Sequence, residues 1–343
     1  MMTEVRIGII GSGFMGRTHA HSLTQGVKHV SLAGVAGGSR SSQLASDFKT
    51  RHYDSPESLA SSKDIDAVII ASPHNLHRVH ASLCATQRKH ALVEKPMAPS
   101  LEDCREMIRL FQSNGLFLMV AFTQRFRQSN IVTHDIIRRG TVGRILMVEE
   151  YALLPEGLSA YPPWQQKQEN LGILFGYGVH NIDKLRWLLQ AEVDFVSANV
   201  IRSTDGIETS SMATFHWTNG TLTNLWSSVD LPKPGFDGTS LRSRIVGEKG
   251  LLDVDSYGEV RLALRGGKWE TLFVQPAIDW RGSGMFAEAR MGSFNAQNQA
   301  FVDAILSGTD PPISGLDGLR AAEIALAVYQ SAATHQTIHL NTR

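Results

Sequence analysis

The sequence predicts an α/β protein in two parts: a parallel sheet covered by helices, then an α/β domain built on a large, mostly antiparallel open sheet. Three observations carry this. From residue 5 to about 125, short continuously apolar runs alternate with amphipathic stretches, the pattern of buried parallel strands joined by helices. Beyond that point, runs of alternating character follow one another with hairpin signals between them. At 343 residues the chain also exceeds what a single core usually organises, so two domains are expected. The boundary is placed between 1–124 and 125–343, with the last helices packing back toward the first domain.

In order, residues 5–10 (Val-Arg-Ile-Gly-Ile-Ile) read as a buried strand, followed by a glycine turn and a helix over 14–24. Further strands are expected at 30–36, 66–71, 90–94 and 116–121. At Glu94-Lys95-Pro96 the strand must stop, because proline has a fixed φ and no N–H. A helix over 131–139 leads to Gly143 and a strand at 144–151. A loop over 155–170, rich in Pro, Trp and Gln, precedes a helix over 171–190. Strands follow at 194–202, 209–217, 221–228, 242–247, 251–255 and 260–264, with turns at Thr218-Asn219-Gly220 and Gly247-Glu248-Lys249-Gly250. Helices over 295–306 and 316–334 end the chain, separated by Gly308 and Pro311-Pro312.

Bulk properties exclude several function classes. Lys+Arg and Asp+Glu both number 33, so no net field favours nucleic acid or an anionic membrane. Two cysteines, Cys84 and Cys104, do not make a disulfide framework and suit a reducing compartment. No apolar segment is long enough to span a bilayer, and the N-terminus runs into a strand without a leader pattern. A cytoplasmic location is expected.

Gly11-Ser12-Gly13-Phe14-Met15-Gly16 follows a strand and opens a helix, the context in which this fingerprint binds a dinucleotide. Gly11 permits the tight turn, Gly13 lets the backbone approach a pyrophosphate, and Gly16 permits close helix–sheet packing. The helix N-terminus then offers N–H groups and a positive dipole end to the phosphates. About 20 residues on, an acid would hold the adenosine ribose. Here Gly37 stands in that place, followed by Ser39 and Arg40, whose donors suit a 2′-phosphate. NADP(H) is therefore favoured, with NAD(H) as the alternative.

With these elements in order, the chain resembles the Gfo/Idh/MocA oxidoreductases over nearly its whole length. The resemblance rests on Gly11–Gly16, Ala71-Ser72-Pro73-His74-Asn75-Leu76-His77, Glu94-Lys95-Pro96, Gly178-Val179-His180-Asn181-Ile182-Asp183 and the 298–305 segment that begins Asn298-Gln299. It implies a Rossmann domain and a second domain whose open sheet mediates homodimers or homotetramers. It also implies hydride exchange between a nicotinamide and a carbinol or carbonyl carbon of a sugar, cyclitol or related small molecule. Ser72, Pro73, His74, Asn75 and His77 would then run beside the nicotinamide, Glu94 would contact its ribose, and Lys95 would sit between cofactor and substrate.

His180 is the candidate proton-exchanging group. Spacings of three and four put Gly176, His180 and Asp183 or Lys184 near one helix face. Gly176 departs from the family's polyol dehydrogenases, which usually carry aspartate there, completing a Lys–Asp–His set. The expected mechanism therefore pairs Lys95, polarising the substrate oxygen, with His180, exchanging the proton. Tyr177 is a polar substitute, and Arg125, Tyr161 and Trp164 are further substrate candidates. Arg125 is equally readable as a salt-bridge partner at a domain interface. His74, His77 and His80 have a three-residue spacing without a carboxylate or cysteine set, so no metal is expected. Two rival functions fit the same residues: a glycoside-cleaving enzyme that oxidises its substrate transiently on a tightly held nucleotide, and a non-catalytic nucleotide-dependent sensor.

Overall fold

The computed structural model describes residues 3–154, 157–167, 172–236, 241–280 and 282–340. The first part of the chain forms β1 (Val5–Ile10), α1 (Phe14–Gln25), β2 (Val30–Ala36), α2 (Ser41–Asp47), α3 (Pro56–Ala60), β3 (Ala67–Ile70), α4 (His77–Thr86), β4 (His90–Val93), α5 (Leu101–Ser113) and β5 (Leu118–Val120). The strands pair in parallel in the order β2-β1-β3-β4-β5. Ile7, Ile9, Ile10, Val68, Ile69, Ile70, Leu92 and Val93 are fully buried, because helices cover both faces of a parallel sheet. Strand order reverses between β1 and β3, and in open α/β sheets ligands bind at the carboxyl ends beside that switch.

Next come α6 (Gln128–Arg138), β6 (Ile145–Leu153), α7 (Val179–Leu189), β7 (Val193–Arg202), β8 (Glu208–Trp217), β9 (Leu222–Ser228), β10 (Leu241–Gly247), β11 (Gly250–Asp255), β12 (Glu259–Leu264) and β13 (Glu270–Val274). The chain then adds α8 (Glu288–Ser307), α9 (Gly315–Thr334) and β14 (Ile338–His339). The second sheet has nine strands in the order β13-β12-β11-β10-β6-β9-β8-β7-β14. Among the described residues of this sheet, only β6 and β9 pair in parallel. On one face Val148, Ala152, Ala213, Phe215, Leu225, Ile245 and Leu252 are buried. On the other, Met147, Met212, Leu222 and Leu251 are exposed, as the period of two requires.

The chain divides into two compact units, Met1–Phe126 with Asp279–Leu319, and Arg127–Ile278 with Arg320–Arg343. The expected contiguous domain over 125–343 is thus interrupted: residues 279–319 fold with the parallel sheet. Their anchor is α8, where Gln299 Oε1 accepts from Lys28 N at 2.7 Å and Asn295 fills the space over Gly26. That helix starts at Glu288 rather than 295, burying Arg290, Met291 and Phe294, a face that Gly292 obscures in the sequence. The helix expected over 171–190 opens instead as a π-helical turn, Leu174–Gly178, before α7; its expected first residue lies outside the described residues. Strands β13 and β14 were not anticipated, since one is mostly exposed and the other has two residues.

Candidate active site

Three segments meet at the carboxyl end of the parallel sheet. After β1, Gly11 adopts φ +119° and its missing Cβ would lie 2.4 Å from the Ala71 carbonyl oxygen, so only glycine lets the turn touch the segment after β3. At Gly16 a Cβ would lie 2.0 Å from the Gly11 oxygen. These are the tight-turn and close-packing roles expected from the fingerprint. Gly13 differs, because a Cβ there would meet nothing within 4 Å. The N-cap of α1 is Gly13, with no side-chain hydrogen bond and no acid in the first turn. Open space above bare N–H groups at a helix start fits a dinucleotide's phosphates. Fully buried Arg290 supports the same turn from α8, donating to Thr18 Oγ1 at 2.6 Å with its guanidinium 4.8 Å from the centre of the Phe14 ring. Met15 is half-buried there.

Beyond β2, Gly37 and Gly38 both take positive φ. Ser12 Oγ accepts from Arg40 N at 3.2 Å, so the glycine turn and the 37–40 turn are tied together. Ser39 and Arg40 are exposed, and among the described residues the Arg40 side chain has no salt bridge.

Glu94 and Lys95 follow β4. Glu94 is buried; His19 Nε2–H donates to its Oε1 at 2.9 Å, and Lys95 N donates to its Oε2 at 3.2 Å. His19 Nδ1 in turn faces Asn298 Oδ1 at 3.2 Å. A carboxylate has about four acceptor positions, so Glu94 keeps capacity for a ribose hydroxyl. Lys95 is half-buried, and desolvation holds its ammonium below the usual lysine value while Glu94 pulls the other way. The chain past it is pinned by His77, whose Nδ1 lies 3.0 Å from the Pro96 oxygen and 3.2 Å from that of Met97. Nε2 of the same ring lies 2.9 Å from the Ser72 oxygen.

The other expected nucleotide residues divide by environment. Ser72 Oγ lies 2.9 Å from His80 Nδ1, whose pKa burial pushes down to about 4. Pro73 precedes a short 3-10 turn over His74–Leu76, in which His74 is buried and Asn75 exposed. His77, fully buried between backbone carbonyls, is a brace of the site. Arg125, a substrate candidate, donates to Asp317 at 2.8 Å within the same unit, and Asp317 also accepts from Ser314 N at 2.8 Å. Buried Cys84 and Cys104 are pushed up to about 12, which leaves them inert as nucleophiles.

In the second unit α7 presents His180, which is buried. Its ring packs edge-on against Tyr177, centroids 6.3 Å apart. Two anchors fix the helix around it. Asn181 Nδ2 donates to the Tyr151 oxygen at 3.1 Å and to Glu150. Lys184 Nζ, fully buried, pairs with Glu150 Oε1 at 2.8 Å and donates to Ser243 Oγ at 2.9 Å and Ser256 Oγ at 3.2 Å. A buried ion pair of this kind holds geometry when its remaining hydrogen bonds are made. Asp183 is fully buried on the same helix. Tyr161 and Tyr177, both substrate candidates, pack on one apolar cluster of Leu154, Ile173 and Val229. Trp164 is half-buried in the turn beyond.

Glu208 of β8 went unnoticed in the sequence. Its Oε2 accepts from Leu174 N at 2.9 Å and from Tyr329 Oη at 3.2 Å, so it caps the π-helical turn that leads into α7. Burial pushes it up to about 7. His19 was also missed; its signal is a histidine three residues past the last fingerprint glycine, on the inward face of α1.

Residues 5–122 match the model of an oxidoreductase family with an NAD-binding Rossmann fold, and residues 132–253 match the GFO/IDH/MocA C-terminal domain. Inositol 2-dehydrogenase 2 of Saccharopolyspora erythraea is 29% identical over 342 residues, 97% of this chain and 94% of that one. An oxidoreductase of Agrobacterium radiobacter, solved with NAD+, L-tartaric acid and magnesium, superposes with a TM-score of 0.86 at 22% identity over 98% of each chain. Levoglucosan dehydrogenase, solved with NADH and L-sorbose, gives 0.87 at 21% identity over 100% of each. No helix among the described residues is long and apolar enough to cross a membrane.

Proposed function

The chain belongs to the GFO/IDH/MocA oxidoreductase family and is a nicotinamide-dependent enzyme acting on CH–OH groups; from that premise we propose that it transfers a hydride between NADP and a carbinol or carbonyl carbon of a sugar, cyclitol or related hydroxy compound. The observation that carries the reading is the convergence of the glycine turn, residues 71–77 and Lys95 at the carboxyl ends of β1, β3 and β4. The nucleotide would be held by N–H groups of the turn over 12–16, by Ser39 and Arg40, and by Glu94. When bound it supplies the hydride acceptor or donor. Lys95 polarises the substrate oxygen by charge and hydrogen bonding, and His180 takes or returns the proton. Tyr177 and Tyr161 offer ring faces to the apolar side of the substrate. The relative from Saccharopolyspora erythraea is, by its name, an inositol dehydrogenase, which supports a ring polyol.

The assay is the absorbance of the reduced nicotinamide during incubation with sugars, cyclitols and hydroxy acids, run in parallel with NADP and NAD. The preference for NADP rests on Gly37 in place of an acid and on exposed Arg40. Arg40→Ala should raise the KM for NADP about tenfold or more, the value of a charge-assisted hydrogen bond, with little change for NAD. A wild-type preference for NAD would overturn that assignment.

A homodimer or homotetramer through the second sheet would cover Met147, Met212, Leu222 and Leu251, which are exposed on one face. Light scattering should give a multiple of one chain's mass, reduced by Met212→Glu with Met147→Glu. A wild-type monomer at micromolar concentration would rule it out. A cytoplasmic location suits the two buried free cysteines.

A further inference from the structure

Glycines in this fold have identifiable reasons, with one exception. Among the described residues, nearly all either hold a positive φ or would drive a Cβ into neighbouring atoms. Gly13 and Gly176 do neither: φ lies outside the left-handed region, and a Cβ would meet nothing within 4 Å. Phosphates account for the space at Gly13. Among the described residues, nothing fills the space at Gly176. Its neighbours sharpen the contrast. Gly172 has φ +92° and a Cβ there would lie 2.5 Å from the Glu208 oxygen, whereas at Gly178 it would lie 2.7 Å from Leu174 Cδ1. Glycine is a poor helix residue beside alanine, so a helical position that could hold a side chain and does not points to something else filling the volume.

That volume lies next to the proton-exchanging group. Gly176 precedes His180 by four residues, which places both near one helix face, and Tyr177 between them touches the His180 ring. The Tyr177 side rests on the apolar cluster of Leu154, Ile173 and Val229.

We infer that Gly176 is a specificity-determining residue: the space left by its missing side chain takes an exocyclic carbon of the substrate, so the enzyme prefers pyranoses bearing a hydroxymethyl or carboxylate arm to unbranched cyclitols. This rests on the reading of His180 as the group beside the reacting carbinol. A cyclitol has only hydroxyls on its ring and leaves the space unfilled, losing packing contacts. Aspartate at the position would fill it and exclude the arm.

Wild type, Gly176→Ala and Gly176→Asp are compared on glucose, galactose, glucuronate, galacturonate, myo-inositol and scyllo-inositol, with melting temperature and NADPH binding followed by fluorescence. The wild type should favour a pyranose over both cyclitols by at least about tenfold in kcat/KM, a modest steric discrimination. Gly176→Ala should melt about 2–4 °C higher, bind NADPH unchanged, and lose most of the pyranose preference. A preference for uronates identifies the arm as carboxylate, one for aldoses as hydroxymethyl. A pyranose-to-cyclitol ratio that neither variant alters, or a wild type that favours inositols, overturns the inference and leaves the oxidoreductase reading standing. NADPH binding without nicotinamide turnover on any substrate overturns both.

Discussion

Lys95→Ala is expected to lower kcat/KM by about 10²–10⁴-fold, the range for a positioned proton-handling group, while nucleotide affinity changes by no more than a few-fold. The reason lies in how the lysine is mounted. Its backbone N–H is held by Glu94 Oε2, Glu94 is held by His19, and the carbonyls of Pro96 and Met97 face His77. Truncating the side chain leaves this frame in place, so the loss reports on chemistry. The pH profile gives the sign. Desolvation lowers the Lys95 pKa from 10.5, and the proposed polarising role needs the charged form. Activity should therefore fall as pH rises through a value below 10.5. Lys95→Arg, which stays charged, should keep a small residual activity without that alkaline limb. A limb that persists in Lys95→Arg would assign it to another group.

His180→Ala should reduce kcat by about 10²–10³-fold with a much smaller change in KM, and added imidazole should restore part of the rate. The fold around it has independent support: Asn181 and Lys184 anchor α7 to Glu150 and the facing strands. Circular dichroism and melting temperature are thus expected to stay close to wild type. Loss of kcat together with collapse of the melting temperature would mark His180 as a core residue. Glu150→Ala provides the contrast. Removing one member of a buried ion pair leaves the other uncompensated, at a cost of about 3–5 kcal/mol, so that variant should lose stability first.

Much of the first sheet was legible because its cause is local. Short continuous apolar runs separated by amphipathic stretches read as buried parallel strands, and the roles of Gly11 and Gly16 follow from steric facts that hold wherever the fingerprint joins strand to helix. The position of Lys95 follows from Pro96. What the sequence hid depends on pairing across distance. His19, Glu94 and Asn298 meet only because α8 returns to the first unit, and nothing local to any of them announces it. In sequence Arg125 suits a substrate contact as well as a salt bridge; its partner Asp317 lies 192 residues away, and nothing near Arg125 points to it. Glu208 lies just outside the strand expected from 209, with nothing local to mark it, yet it caps the turn before α7. The π-helical turn could not be read either, since glycines at 172, 176 and 178 look alike in sequence and differ only in what surrounds each missing Cβ.

The central claim is that a hydride leaves a carbinol carbon of the substrate for the nicotinamide. Incubating the enzyme with NADP and a substrate deuterated at its ring carbons, then recovering the reduced nucleotide for mass spectrometry, tests it directly. The account predicts one deuterium in each reduced nicotinamide and an equimolar amount of oxidised substrate. Substrate turnover with no deuterium in released nicotinamide, and with the product at the substrate's original oxidation level, would contradict it and identify transient oxidation on a retained nucleotide.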